Sequence, residues 1–346
     1  MINKLQRFVL IVSAFAGLPG AAEEPAQKAK DRTGPSAAPK VGIRTAGIQI
    51  AFARLKAEQE FAVLNGARWL ASTAEVVMAP GKTEGSLARL DTRENKTGEP
   101  ITSVGKLCAG GVEAFKSWWV ADCATGTLVR MDGKEGKVTT RIANGTGGFP
   151  SGIAANGDSI WVLSDARSTL TRIDPDTNKI VSELRLPAGC NALAAGEGAV
   201  WATCPADNRV LRINPVNNQI ENRIEVSAQP SAVAVGEGGV WVLCRRDGKV
   251  ERIDPKTNKV VKTLELSVPD AEGAIAAGGG SVWVTMTGFP LTRIEPATDK
   301  ERVAQQFFGE GGGAVQFAFG SVLLVNTKQG TLWKIDPKLI AATLAE

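Results

Sequence analysis

Histidine and tyrosine are both absent from this 346-residue chain, so the side chains that can do chemistry are carboxylates, amides, arginines and thiols. Histidine is the commonest general base and an abundant metal ligand near neutral pH. Its absence excludes Ser-His-Asp, Cys-His, zinc-histidine and haem-histidine centres. A carboxylate with a tuned pKa can replace the base, but the sequence selects no carboxylate for that role, and we assign no catalytic residue.

The candidate binding residues are charged and amide side chains in the loops that separate apolar runs. They are Arg68, Asp165, Asn191, Arg245, Arg246, Glu272 and Asn326. The segment CRRDGK, which contains Arg245 and Arg246, departs most from the corresponding loops elsewhere in the chain. Exposed charged residues are usually only solvated, so this pair has a structural interpretation beside the binding one.

Four of these residues also have the ligand chemistry of a cation site. Asp165, Asn191, Glu272 and Asn326 carry the oxygen ligands that Ca²⁺ and Mg²⁺ prefer. A cation held there would polarise a carbonyl group and permit hydrolysis. Carboxylates and amides occur in any set of loops, however, so the sequence requires no cofactor and leaves Ca²⁺ or Mg²⁺ as an alternative.

Five cysteines offer disulfide chemistry. Cys108 and Cys190 lie near the start of one apolar run, and Cys123 and Cys204 lie at the end of the next. Those two positions are side by side in an antiparallel pair, so the sequence predicts the bridges Cys108–Cys123 and Cys190–Cys204. Cys244 is left over, and Cys204–Cys244 is the rival pairing. A metal site is the other use of thiols, but no tight C-x-x-C motif supports it.

The elements that must position these side chains come from a repeat. The segments GEGAVWATCPADNRVLRINPVNNQI and GEGGVWVLCRRDGKVERIDPKTNKVV share a pattern of apolar runs separated by Gly, Asp, Asn and Pro. Alternation with a period of two marks four β-strands in each copy. A position that is usually tryptophan recurs seven times, at steps of 40 or 42 residues. It is Val77, Trp119, Trp161, Trp201, Trp241, Trp283 and Leu323.

Seven four-stranded repeats of this length predict an all-β fold, a seven-bladed β-propeller over residues 42–346. The tryptophans are predicted to pack between blades rather than stack on a ligand. Acidic residues such as Asp174 and Asp254, at the end of each third strand, are predicted to cap the following turn. Glu113 stands where sister copies have Ala195 or Val235. Either it is a channel-lining carboxylate or the alignment is shifted by one residue.

Ring closure is predicted from the strand that the last copy lacks. That copy ends after its third strand, whereas EQEFAVLNG precedes the first inner strand and resembles the outer strands of other copies. We therefore predict that residues 58–64 form the outer strand of the last blade. Without this strand the last blade would keep an unpaired edge.

The first residues have the layout of a secretory signal peptide. Lys4 and Arg7 precede an apolar run that is too short for a stable membrane anchor, and small residues follow. We predict a signal peptide over residues 1–22, a disordered linker over 23–41, and a periplasmic or secreted protein. The formal net charge of +4 is mild and dispersed, so nucleic acid is not indicated as a partner. We expect a monomer that binds a small molecule, a peptide or a protein.

The repeats SIWVLSDARSTLTRIDPDTNKIVSELRLP and GGVWVLCRRDGKVERIDPKTNKVVKTLEL resemble the bacterial YVTN-repeat, YncE-like propellers and the related virginiamycin B lyase-like propellers. The resemblance implies an exported propeller. For the lyases it also implies a histidine base with Mg²⁺ and tyrosines nearby, and no residue of this chain inherits the roles of those side chains. We therefore expect a non-catalytic binding or scaffold protein that uses the mouth of the central channel. The alternative is a divalent-metal-dependent hydrolase or lyase, lactonase-like or virginiamycin B lyase-like.

Overall fold

A computed structural model describes residues 41–343 apart from 64–66, 74, 92–93, 146–151, 165–167 and 298, together with the side chains there except those of residues 108 and 109. The described residues fall in the unit Ala37–Glu346. The predicted signal peptide and all but the last residue of the predicted linker lie outside them. None of the described helices is long and apolar enough to cross a membrane.

The fold is a seven-bladed β-propeller, as the repeat predicts, and blades 1 to 5 are each one antiparallel sheet built from four consecutive strands. In chain order, β1 (Gln49–Ala51) and β2 (Gln59–Ala62) come first and join the last two blades. Blade 1 has β3 (Ala71–Ser72), β4 (Val76–Pro80), β5 (Leu87–Asp91) and β6 (Lys96–Thr97). Blade 2 has β7 (Leu107–Ala114), β8 (Ser117–Asp122), β9 (Thr127–Asp132) and β10 (Val138–Ala143). Blade 3 has β11 (Ile153–Asn156), β12 (Ser159–Leu163), β13 (Thr169–Asp174) and β14 (Lys179–Arg185).

The remaining blades repeat this order from the inner to the outer strand. Blade 4 has β15 (Ala192–Gly196), β16 (Ala199–Cys204), β17 (Arg209–Asn214) and β18 (Gln219–Glu225). Blade 5 has β19 (Pro230–Gly236), β20 (Gly239–Cys244), β21 (Lys249–Asp254) and β22 (Lys259–Glu265). Blade 6 has β23 (Gly273–Gly278), β24 (Ser281–Met286), β25 (Phe289–Glu295) and β26 (Arg302–Phe308). Blade 7 has β27 (Gly312–Ala318), β28 (Ser321–Asn326) and β29 (Thr331–Ile335), and a helix, α1 (Pro337–Ala342), follows it.

The core lies between blades and is centred on the second strand of each. All seven residues at the recurring tryptophan position are fully buried, which confirms their predicted core role. The indole nitrogens of Trp201, Trp241 and Trp283 each donate to the carbonyl of the glycine that ends the preceding strand. A buried indole therefore has its polar group satisfied within its own blade.

An arginine on the third strand of most blades covers the tryptophan. The guanidinium of Arg130 lies 4.8 Å from the ring centroid of Trp119, within cation–π range. Arg130 also donates to the Pro175 carbonyl and to Asn178 of the next blade. Arg172 makes the same contacts to the following blade. In these two blades the arginine thus joins the core of one blade to the turn of its neighbour.

Ring closure occurs as predicted, with one addition. Strand β2 pairs antiparallel with β29, and Phe61 is buried in the core of blades 7 and 1. Leu64, the predicted end of this strand, lies outside the described residues. Strand β1 pairs parallel with β26 and gives blade 6 a fifth strand, which the repeat pattern did not reveal. The N-terminal segment therefore closes one blade and covers the outer edge of another.

The turns after the third strands confirm the predicted capping role of their acidic residues. Asp174 accepts from the backbone amides of Asp176 and Thr177, and these contacts lower its pKa. Asn178 and Asn258, before the fourth strands, have positive φ values of 56°, a backbone region that asparagine tolerates. These acidic residues are structural.

One predicted disulfide joins Cys190 to Cys204, so the rival Cys204–Cys244 pairing is wrong. Cys244 is free and buried, and burial raises the pKa of its thiol. The two ends of the hairpin β15–β16 are close enough to bridge, whereas Cys244 belongs to the next blade. Cys123 is also disulfide-bonded, and the side chain of Cys108, its predicted partner, lies outside the described residues. A disulfide is compatible with an oxidising, extracellular compartment.

Candidate functional site

The candidate site is a groove at the mouth of the central channel, where inner strands begin and second strands end. It has a volume of about 270 Å³ and is formed by blades 6, 7 and the entry to blade 1. Its lining residues are Ala67, Arg68, Glu272, Gly273, Ala274, Thr285, Thr287, Gly312, Gly313, Ala314 and Thr327. We call this the mouth groove.

A short loop explains why the groove lies here. Only Thr287 and Gly288 connect β24 to β25 in blade 6, whereas four residues make the same connection in blades 2, 4, 5 and 7. The shorter loop leaves the ends of the neighbouring inner strands uncovered. This difference is visible in the sequence as TMTGFP.

The floor of the mouth groove is held by hydrogen bonds between blades. The hydroxyl of Thr285 donates to the Gly313 carbonyl at 2.6 Å and accepts from the Ala274 amide, so it joins the inner strands of blades 6 and 7. The Ala314 amide donates to the Ala67 carbonyl, which ties blade 7 to the entry of blade 1. The groove is therefore formed by fixed backbone.

Two hydroxyls on the groove wall are held less tightly. Thr287 donates to the Glu272 carbonyl at 3.4 Å, and Thr327 donates to the Gly312 carbonyl at 3.5 Å. Both distances are at the long limit for a hydrogen bond. These hydroxyls can rotate toward a ligand at small cost, which makes them candidate polar contacts. Neither threonine stands out in the sequence, because a hydroxyl in a loop carries no pattern of its own.

The two charged residues on the groove wall are both predicted site residues, and their environments differ. Glu272 forms an ion pair with Arg245, which also contacts Gln229. Arg68 is exposed and has no hydrogen bond or ion pair with the described residues. The structure therefore brings together Arg68, Arg245 and Glu272, and one positive charge remains uncompensated. Arg246 is exposed beside this group but does not line the groove.

The remaining predicted residues do not line the mouth groove. Asn191 is exposed and accepts from the Thr203 hydroxyl at 2.8 Å. Asn326 is buried, and its side chain accepts from the amides of Lys328 and Gln329 within its own turn. Asp165 lies outside the described residues.

A cation fits the described oxygens poorly. One carboxylate oxygen of Glu272 and the amide oxygens of Asn191 and Asn326 already accept from protein donors. Among the described residues, no group of three or more cysteine, aspartate and glutamate side chains is placed to hold a metal ion. Because Asp165 is not described, the four-residue cation cage stays a prediction, and no step below involves a metal.

Glu113 occupies the position that the repeat alignment gave it. It pairs with Trp118 on the second strand, as Ala195 pairs with Val200 and Val235 with Val240. The alignment is therefore correct. Burial raises the pKa of this half-buried carboxyl, which has no hydrogen-bond partner among the described residues.

Asp122, at the mouth end of β8, has a structural role instead. Its carboxylate accepts from the amides of Lys106 and Ala124 and from the hydroxyl of Thr125, and it pairs with Arg141. Burial alone would raise its pKa, but the hydrogen bonds from Thr125, Ala124 and Lys106 more than offset this and lower it. The carboxylate therefore stabilises its own loop.

Comparison with known proteins supports the fold. No protein-family model matches the chain, and no curated protein sequence matches it significantly. A streptogramin B lyase structure is 19% identical over 80% of this chain and 96% of the lyase, with a TM-score of 0.67. Virginiamycin B lyase from Staphylococcus aureus is 17% identical over 80% of this chain and 97% of the enzyme, with a TM-score of 0.65. A catalytically inactive histidine-to-alanine variant of that enzyme has been solved with quinupristin.

Propellers of another kind are similar to the same degree. The WD40 repeats of RRP9 are 10% identical over 82% of this chain and 98% of that chain, with a TM-score of 0.67. At such identities the likeness shows the fold alone. The chain is therefore a seven-bladed propeller whose solved structural neighbours include virginiamycin B lyase-like enzymes and WD40 domains.

Proposed function

We propose that the chain is an exported, non-catalytic propeller that binds a small molecule, a peptide or a partner loop in the mouth groove. The observation that supports this most directly is a fixed groove that contains one uncompensated charge and two rotatable hydroxyls. Ligand sites of this kind have a few polar groups that fix orientation on a preformed surface. They need no general base and no metal.

The enzymatic alternative is a metal-dependent hydrolase or lyase. Streptogramin and virginiamycin B lyases show that a propeller can carry such an activity. However, exchange of a histidine accompanies inactivity in the S. aureus enzyme, and this chain has no histidine. Most of the described oxygens that were predicted to hold a cation are also engaged by protein donors. A binding function therefore agrees better with the residues present.

A groove-filling variant tests the proposal. Thr287 is exposed on the groove wall, so Thr287→Trp should fill the groove without disturbing the core. Lys256→Trp, in an exposed turn on the opposite face, is the matched control. Thermal shift measurements with a library of amino acids, short peptides, sugars and nucleotides should give ligands that raise the unfolding midpoint of the parent and of Lys256→Trp but not of Thr287→Trp.

Two outcomes would contradict this proposal. Ligands whose effect is unchanged in Thr287→Trp bind elsewhere on the protein. If the parent chain converts lactones, esters or quinupristin, and a chelator abolishes this activity, the protein is a metal-dependent enzyme and the non-catalytic proposal is wrong. Stabilisation by a true ligand should grow with its concentration as RT ln(1 + [L]/Kd), about 2.7 kcal/mol at a hundredfold excess over Kd.

A further inference from the structure

The mouth groove has a specific electrostatic character. The inference drawn from it rests on the proposed function. Of the described residues that line the groove, only Arg68 and Glu272 are charged. Glu272 is neutralised by Arg245 from the neighbouring blade. Arg68 has no such partner among the described residues. The groove therefore has an excess of one positive charge.

We propose that the mouth groove recognises the carboxylate group of its ligand, and that Arg68 is the specificity-determining residue. A guanidinium presents planar, paired donors that match the two oxygens of a carboxylate. The rotatable hydroxyls of Thr287 and Thr327 lie on the same groove wall and can donate to the ligand as well. A free amino acid, a peptide C-terminus or an organic acid has this chemistry.

The charge balance favours a monoanion over a phosphate group. One guanidinium compensates one negative charge, whereas a phosphate monoester carries nearly two at neutral pH. The second negative charge would exceed the single uncompensated positive charge of the groove. The volume of about 270 Å³ also suits a group the size of one or two amino acid residues rather than a large ligand.

A matched pair of probes tests this proposal. The acid is N-acetyl-alanyl-alanine with a free carboxylate, and the control is the same dipeptide with a C-terminal amide. We expect the acid to bind at least tenfold more tightly, measured by isothermal titration calorimetry. Inorganic phosphate should compete poorly.

Variants show which residue causes the preference for the acid over the amide. Arg68→Gln should abolish the preference for the acid, and Arg68→Lys should retain only part of it, because lysine keeps the charge but not the paired donors. Arg246→Gln is the matched control, since Arg246 is also exposed and unpaired among the described residues on this face but does not line the groove. Added salt should weaken binding of the acid more than binding of the amide.

The two proposals fail in different ways. If the acid binds no tighter than the amide, whether both bind or neither does, carboxylate recognition is overturned. It is also overturned if Arg246→Gln loses the preference as fully as Arg68→Gln. If Thr287→Trp still abolishes binding of library ligands in those cases, the binding function stands with a different ligand class. If Thr287→Trp has no effect on any ligand, the binding function of the groove is wrong as well.

Discussion

At the scale of single residues, the charged side chains of this propeller have three different roles. The carboxylates of Asp174 and Asp122 accept hydrogen bonds within their turn and loop, and these bonds lower the pKa of each. Arg68 keeps an uncompensated charge in the mouth groove. Glu113 is half-buried with no partner among the described residues, so its ionised form costs stability. Only the environment distinguishes these roles.

The raised pKa of Glu113 predicts a pH-dependent stability. The folded chain holds this proton more tightly than the unfolded chain, so the free energy of unfolding falls as pH rises from about the ordinary value of 4.5 through the raised pKa. Glu113→Gln should therefore be more stable than the parent at pH 7, and the gain should vanish below pH 4.5. Urea unfolding of the parent and of Glu113→Gln, at pH 7 and below pH 4.5, measures this difference in stability. Glu60→Gln, at an exposed position, is the control, and an equal gain there would contradict the assignment.

At the scale of elements, the arginines of the third strands hold neighbouring strands and blades together. The partner of the arginine Nε group differs between blades, and the sequence explains why. The Nε groups of Arg130, Arg172 and Arg293 donate to Ser117, Ser159 and Ser281, each at the start of a second strand. Blades 4 and 5 have Ala199 and Gly239 at this position. The Nε groups of Arg212 and Arg252 are accordingly buried without a described partner.

Blade 4 also differs in the direction of its arginine. Arg212 pairs with Glu221 of its own blade rather than with the next turn, and Asn258 of that turn is left with an unpaired Oδ1 among the described residues. Asn214, which replaces the usual aspartate, donates to the same Glu221 carboxylate at 2.6 Å. An aspartate there would repel Glu221. In blade 5, Arg252 instead reaches the buried Glu301 of blade 6.

The missing serine predicts a stabilising substitution. Ala199→Ser should provide an acceptor for the buried Arg212 Nε and raise the free energy of unfolding by about 1 kcal/mol. Ala202→Ser, on the same buried strand, is the control and should lower stability, because its hydroxyl is buried away from that guanidinium. Chemical unfolding of both variants decides the matter. If Ala199→Ser lowers the free energy of unfolding as much as Ala202→Ser does, the new hydroxyl does not accept a hydrogen bond from Arg212 Nε.

At the scale of the whole molecule, the ring is closed by chain segments far apart in sequence. Strand β2 supplies the outer strand of blade 7, and β1 extends blade 6. Phe52 stacks on Trp333 at 5.0 Å, while Ile340 of α1 packs in the same core cluster. Both chain segments that flank the repeats therefore stabilise the junction between the last two blades, beside the mouth groove.

Closure by β2 predicts a large cost for a single side chain in that strand. Phe61→Ala should lower the free energy of unfolding by about 3–5 kcal/mol, because the buried ring fills the interface of blades 7 and 1. Glu60→Ala, exposed on the same strand, should have little effect. Thermal and urea unfolding compare the two. A similar small effect of both variants would mean that the ring holds together without this strand.

The sequence by itself determined the fold, the number of blades, the buried tryptophans, the turn carboxylates and the closing strand. These follow from local alternation and from a repeated pattern, since each blade uses the same contacts. Tertiary structure alone decided that β1 pairs with blade 6, that Glu272 is neutralised by Arg245 while Arg68 is not, and that the mouth groove lies under the short loop of blade 6. Those features depend on which side chains from different blades meet, and no periodic pattern encodes contacts that occur only once.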